Sequence, residues 1–226
     1  KYDSKAFQKS VGLNGVGTKA VNALSNYFKV TAYREGKEKT AEFERGVLIQ
    51  EHKEIKTVEE NGTLITFVPD DKIVKNFHFV QEYLDNQFWN YCYLNAGLVM
   101  NLNNKRYVSK NGLLDLLQRK TNEDEIRYPI IHLKGNDIEL AFSHENDYGE
   151  EYYSFVNGQF TTQGGTHLAA FREGFVKTIR EFYKKDYDSS DIRGSICAAL
   201  SVRVQEPVFE SQTKTKLGSL NVSEGG

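Results

Sequence analysis

The chain has 226 residues, 39% of them hydrophobic and 12% aromatic, enough for one large or two ordinary domains with real cores. Its net charge of −2 is unevenly spread: residues 1–120 carry 18 Lys+Arg against 14 Asp+Glu, and residues 121–226 carry 11 against 17. Nucleic-acid binding through the overall field is thereby excluded, leaving a local patch as the route, and no apolar run reaches membrane-spanning length.

Residues 1–11 are polar, basic and without period, and read as a loop leading into Gly12-Leu13-Asn14-Gly15-Val16-Gly17. The opening shows no signal-peptide pattern, and with an opening on a loop and an ending on Val222 to Gly226 the chain reads as a piece of a larger protein. Val16, Ala20, Val21 and Leu24 predict a short helix after the glycines. From Tyr27 the period changes to two: a strand to Arg34, a turn at Glu35-Gly36-Lys37, a return strand Lys39 to Phe43, a strand opening at Val47, and a β run from Gly62 to Pro69. These predict a mostly antiparallel sheet. Phe77, Val80, Leu84, Phe88, Tyr91, Cys92 and Leu94 form an apolar stripe at helical spacing, predicting a core helix over 77–95. Strands at 97–102 and 105–109 and a short helix from Gly112 to Leu117 follow, and polar Arg119 to Glu125 reads as a linker between two domains, 1–120 and 121–226. Beyond it come strands at 129–134, 137–143 and 151–157, a turn at Asn157-Gly158, a long helix after Gly164-Gly165-Thr166-His167, a strand from Ala198 to Val204, and the loop Gln212-Thr213-Lys214-Thr215-Lys216-Leu217-Gly218.

The glycine stretch invites a phosphate: glycine lets backbone approach a ligand, and a helix starting there points N–H groups and a positive dipole end at an anion. It nearly fits the phosphate loop, but Thr18 and Lys19 stand in swapped order and no strand precedes Gly12. A tight connection is the competing reading. The five histidines are scattered and Cys92 and Cys197 lie far apart, so neither a zinc set nor a disulfide is indicated; the cysteines read as buried free thiols in a reducing, cytoplasmic setting. His167 reads as a hydrogen-bonded structural residue before a catalytic one. Lys214 and Lys216 could reach a phosphate on long flexible stems or form a solvated loop.

Two segments together narrow these alternatives. Gly12 to Gly17 with Val21-Asn22-Ala23-Leu24-Ser25 resembles the ATP-lid motif of type IIA DNA topoisomerases, and Gln212 to Gly218 resembles their Gln-Thr-Lys loop. Gly62-Thr63, Thr66-Phe67-x-Pro69-Asp70, Gly164 to His167 and Asp191-Ile192-Arg193 also match in family order, so the resemblance covers the whole chain. It points to the ATPase (B-type) component of the bacterial enzymes, with the opening Lys1 to Phe7 and Val11 to Gly17 leaning to that of topoisomerase IV and gyrase B as the alternative. Another GHKL ATPase, or a non-catalytic dimerisation or DNA-binding module, are further alternatives, the first disfavoured by Gln212-Thr213-Lys214.

The resemblance implies an α+β fold of two-layer sandwiches: the C-terminal part of a GHKL (Bergerat) ATPase domain with its ATP lid, then a transducer domain like domain 2 of ribosomal protein S5. It implies that Gly12, Leu13, Asn14, Gly15, Val16 and Gly17 wrap the triphosphate of ATP, that Lys9 adds charge, that Thr63 sits near adenine, and that Gln212 and Lys214 reach the γ-phosphate. It places the catalytic Glu and the Mg²⁺-binding Asn before Lys1, so the fragment alone is expected to be inactive, with no metal ligand of its own. Implied partners are a second copy of the same polypeptide, the DNA-cleaving A subunit and double-stranded DNA, with Arg172, Arg180, Lys184 and Lys185 as candidate contacts to the DNA backbone. The implied location is the bacterial cytoplasm, at the nucleoid.

Overall fold

The computed structural model describes Lys9, Gly12 and residues 15–221. They form two compact units, one containing residues 15–80, the other Lys9, Gly12 and residues 81–221. No helix among the described residues is long and apolar enough to cross a membrane.

The first unit is a helix, α1 (Val16–Ala23), and strands β1 (Ser25–Arg34), β2 (Lys37–Glu44), β3 (Val47–Glu51), β4 (Ile55–Lys56) and β5 (Gly62–Pro69). The sheet runs β3-β2-β1-β5 with β4 against β2, every pair antiparallel. Glu35 (φ +53°) and Gly36 (φ +73°) close the β1–β2 hairpin with positive φ at both positions, the turn whose twist matches that of the strands. Opposed residues interlock across this pair: Thr31 and Thr40 share a 2.8 Å hydroxyl hydrogen bond, and Phe28 meets Phe43 edge-on at 6.1 Å. Asp70 ties three parts together. Its buried carboxylate accepts from Arg45 Nε at 2.6 Å, its backbone N–H donates to Leu24 O at 2.8 Å, and Arg45 N–H donates to Ser25 O at 2.9 Å. The hydrogen bond from Arg45, and after it one from the Lys72 N–H at 3.0 Å, hold the Asp70 carboxyl below its ordinary range.

The second unit holds α2 (Gln81–Leu94), β6 (Val99–Leu102), β7 (Lys105–Val108), α3 (Leu113–Lys120), β8 (Ile131–Lys134), β9 (Ile138–His144), β10 (Glu151–Val156), β11 (Gln159–Phe160), α4 (Thr166–Tyr183), α5 (Ser189–Arg193) and β12 (Ile196–Val202). Its main sheet runs β11-β10-β12-β9-β8; β10 and β12 are parallel, joined by the crossover through α4 and α5, and the other pairs are antiparallel. β12 is buried on both faces. Cys197 and Ala199 pack with Tyr93 of α2, Leu113, Leu116 and Leu117 of α3, Ala141 and Phe155, whereas Leu200 and Val202 pack with Val156, Phe171 of α4 and Leu217. Each fully buried leucine of α3 contributes roughly 1.5–3 kcal/mol.

The architecture is mixed α and β, as expected, and the two compact units divide between residues 80 and 81. The cause is what α2 and α3 pack against. α3 buries Leu113, Leu116 and Leu117 on the second unit's sheet, and α2 packs on α3, β6 and β7 with only Cys92 and Tyr93 buried, so the expected core stripe is mostly half-buried or exposed. The unit thus has helices on both faces, and the helix α3 runs on to Lys120 through the start of the expected linker. Arg119, read as linker, lies over the Trp89 ring at 4.4 Å.

Candidate functional site

Three sets of residues carry the chemistry the sequence points to. The first is the start of α1. Gly15 is its N-cap with φ +60°, it has no side chain to cap the first-turn N–H groups, and no acidic residue stands in the first turn. Val16 is 56% exposed and nothing lies within 4 Å of a Cβ placed on Gly17. An open helix start without a carboxylate suits an anion. Leu13 and Asn14 lie outside the described residues. Thr63 is exposed on β5 opposite Ala32.

The second set lies in the second unit. Lys9 and Gly12 line a cleft of about 530 Å³ with Lys134, Asn136 and Arg203, and Lys9 Nζ is 2.5 Å from the Asp137 carboxylate. Lys9 therefore already has a carboxylate partner, which the sequence did not signal.

The third set is the lysine loop. Gly165 N-caps α4 at φ +130°, and a Cβ there would stand 2.4 Å from Leu217 O and 2.5 Å from Leu217 N. Only glycine lets the loop's backbone come this close. Leu217 N–H donates to Gly164 O, Thr166 N–H donates to Leu217 O, both at 3.1 Å, and the Leu217 side chain is 2% exposed. Further back, Gln163 N–H donates to Thr215 O at 3.0 Å, and Lys216 pairs with Glu210 at 2.9 Å. Lys214 sits at the loop's bend, half-buried with φ +57°, its N–H donating to Ser211 O; Gln212 is exposed. The motifs at 164–167 and 212–218, far apart in sequence, are thus one structural device. His167 belongs to it as a structural residue: Nε2 lies 3.2 Å from Thr161 Oγ1, Nδ1 is buried with no partner among the described residues, and burial lowers its pKa to about 4.

The four basic candidates for DNA separate. Arg172 donates to Glu150 at 3.0 and 3.1 Å, and Arg180 donates to Tyr187 O at 2.9 and 2.7 Å and pairs with Asp186. Lys184 and Lys185, just past α4, are exposed. Glu150 is a hub the sequence did not reveal, also accepting from Arg193 and Tyr152. Burial opposes its ionisation, but the bonds from Tyr152 and Arg193 and the charges of Arg172 and Arg193 hold its carboxyl below the ordinary range. Ile192, beside Arg193, is fastened to the sheet through His144, whose Nε2 donates to Ile192 O at 2.9 Å while Tyr128 OH donates to Nδ1.

Comparison with known proteins gives a consistent picture. The family described as DNA gyrase B matches residues 96–225. The chain is 49% identical over 220 residues to the B subunit of DNA topoisomerase 4 of Borreliella burgdorferi, covering 97% of this chain and 37% of that protein. It is 35% identical over 241 residues to the B subunit of DNA gyrase of Helicobacter pylori, covering 97% and 31%. It spans about a third of the length of these curated relatives. Among solved structures it is similar to the 43K ATPase domain of Thermus thermophilus gyrase B (TM-score 0.74, 26% identity, 94% of this chain and 63% of that one). It shares the fold of the ATPase region of Saccharomyces cerevisiae topoisomerase II (TM-score 0.75, 23% identity, 93% and 57%).

Proposed function

This chain belongs to the DNA gyrase B family, and from that premise we propose that it is the lid-and-transducer part of an ATP-operated gate in a type II DNA topoisomerase, of the kind found in the B subunit of topoisomerase IV. The observation that carries the reading is the lysine loop: Leu217, clasped between Gly164 and Thr166, fixes the stem from which Gln212 and Lys214 extend. In this mechanism the open start of α1 binds the triphosphate through backbone N–H groups, with Gly12 to Gly17 as the wrapping segment, and Thr63 lies toward the base. Gln212 and Lys214 contact the γ-phosphate from the transducer. Because that contact exists only with the loop docked on nucleotide, ATP favours the docked state and hydrolysis removes the bias. The bound ATP supplies the phosphoryl group, and the Mg²⁺ that accompanies it takes its ligands, by the family resemblance, from residues before Lys1, so no step here is assigned to the metal. The docked state closes a dimer of two copies around one DNA duplex, while the A subunit holds the cleaved one. Lys184 and Lys185, rather than the engaged Arg172 and Arg180, are the contacts to DNA phosphate. The setting is the bacterial cytoplasm.

The test is Lys214→Ala in the full-length protein. ATP turnover is expected to fall about 10²-fold, as for loss of one group stabilising developing charge. Unchanged turnover overturns the role of the loop. Gyrase B is the second reading, favoured by the 35% identity to a protein of that name. Decatenation by the reconstituted enzyme without negative supercoiling supports topoisomerase IV, and ATP-driven negative supercoiling supports gyrase.

A further inference from the structure

At one end of the second unit's sheet three adjacent strands bring together a thiol and two carboxylates. Cys197 is the second residue of β12, with Glu151 beside it in the parallel β10 and Ser143 beside it in the antiparallel β9. Glu145, two residues beyond Ser143, continues that face of β9 and is fixed by its N–H donating to Ser195 O at 2.8 Å. One sulfur and one oxygen from each carboxylate lie within 4.8 Å of one another. The Cys197 thiol is fully buried, points into this group, and makes no hydrogen bond among the described residues. Glu125 and Asp147 add negative charge nearby, against Lys120 as the adjacent cation. Repulsion without relief is a poor reason to gather acids around a buried thiol.

We propose that Glu145, Glu151 and Cys197 bind a divalent transition metal of the Zn²⁺ class, three protein ligands leaving one position open. A thiolate beside two carboxylates favours Zn²⁺ or Co²⁺ and disfavours Mg²⁺, which takes oxygen ligands only. Tetrahedral Zn²⁺ holds its ligand atoms about 3.5 Å apart, and the present separations, all within 4.8 Å, can close to that by rotation of the exposed Glu151 side chain. On binding, Cys197 releases its proton to solvent and the metal dication offsets two carboxylates and one thiolate. Tyr153, whose hydroxyl donates to Glu151, orients that ligand from behind. The site lies on the sheet, is independent of the nucleotide reading, and would pin β9, β10 and β12 together at one end of the strands.

The experiment adds Co²⁺ to the metal-free full-length protein, with Zn²⁺ and Mg²⁺ as competitors. A thiolate-to-cobalt absorption band is expected, displaced by equimolar Zn²⁺ and untouched by excess Mg²⁺. The band disappears in Cys197→Ser, and Co²⁺ affinity falls roughly 10–100-fold in Glu145→Gln and Glu151→Gln. The glutamine variants carry the test if Cys197→Ser does not fold, since Glu145 is half-buried and Glu151 exposed. No band in the wild type, a band unchanged in Cys197→Ser, or full affinity in both glutamine variants overturns the proposal.

Discussion

At the start of α1 the chain turns through Gly15, and a Cβ on Gly17 meets nothing within 4 Å. At the start of α4 the chain turns through Gly164 and Gly165, and a Cβ on Gly165 meets the backbone of Leu217. Both are glycine-opened helices, yet among the described residues nothing fills the opening of one, whereas the other fills it with its own chain. The difference separates two uses of glycine: leaving room for something absent from the fold, and admitting a segment of the same fold. It also assigns rigidity. α1 has no buried residue, whereas the lysine loop is fixed at Leu217, which is 2% exposed.

The sharpest way to break this contrast is Gly165→Ala. Its backbone angles, φ +130° and ψ −164°, lie in a region open essentially to glycine, and the new Cβ collides with backbone that cannot move aside as a flexible side chain would. We expect a loss of about 3 kcal/mol or more in chemical denaturation, and, in the full-length protein, loss of ATP turnover with it. Normal stability would mean that Leu217 does not hold the loop.

Next in size is the pH dependence of His167, packed beside the same glycines. Burial lowers its folded pKa to about 4, below the ordinary histidine value of about 6.5. The unfolded chain therefore takes up the proton first. The contribution of neutral His167 is fully present above about pH 6.5 and is lost as the pH falls toward 4. His167→Gln is expected to flatten the drop in unfolding free energy between pH 7 and pH 5 relative to the unmutated chain, and an identical slope in the two proteins would refute the assignment.

Much of this is legible in the sequence and some is not, for definite reasons. The β1–β2 and β10–β11 hairpins are written in local chemistry, Glu35-Gly36 and Asn157-Gly158. The stripe from Val80 to Leu94 announces a helix with an apolar face, but the pattern does not tell that only Cys92 and Tyr93 of it are buried, or against which elements. α2 starts at Gln81 and not at residue 77, a boundary that a periodic apolar pattern without a capping signal does not mark. The parallel pairing of β10 with β12 depends on a crossover of about forty residues, which period-two patterns cannot reveal. In the site, resemblance picks out Gly164-Gly165 and the lysine loop, but their mutual contact appears only as distances. Glu145, Glu151 and Cys197 share no motif at all; strand register alone unites them.

The smallest effect sharpens the comparison from the open side. Gly17 is the second residue of α1, its φ is not positive, and its Cβ direction is empty. Alanine there removes backbone freedom from the unfolded chain and favours helix, so Gly17→Ala is expected to raise stability by about 0.5 kcal/mol, opposite in sign to Gly165→Ala. The added methyl also stands beside the N–H groups proposed to face phosphate. In the full-length protein, affinity for a non-hydrolysable ATP analogue is therefore expected to fall several-fold while stability rises. A variant that gains stability and keeps its affinity would leave α1 an ordinary helix with an unused glycine. One that loses both would show that the opening is filled by protein after all, and the two glycine sites would no longer differ.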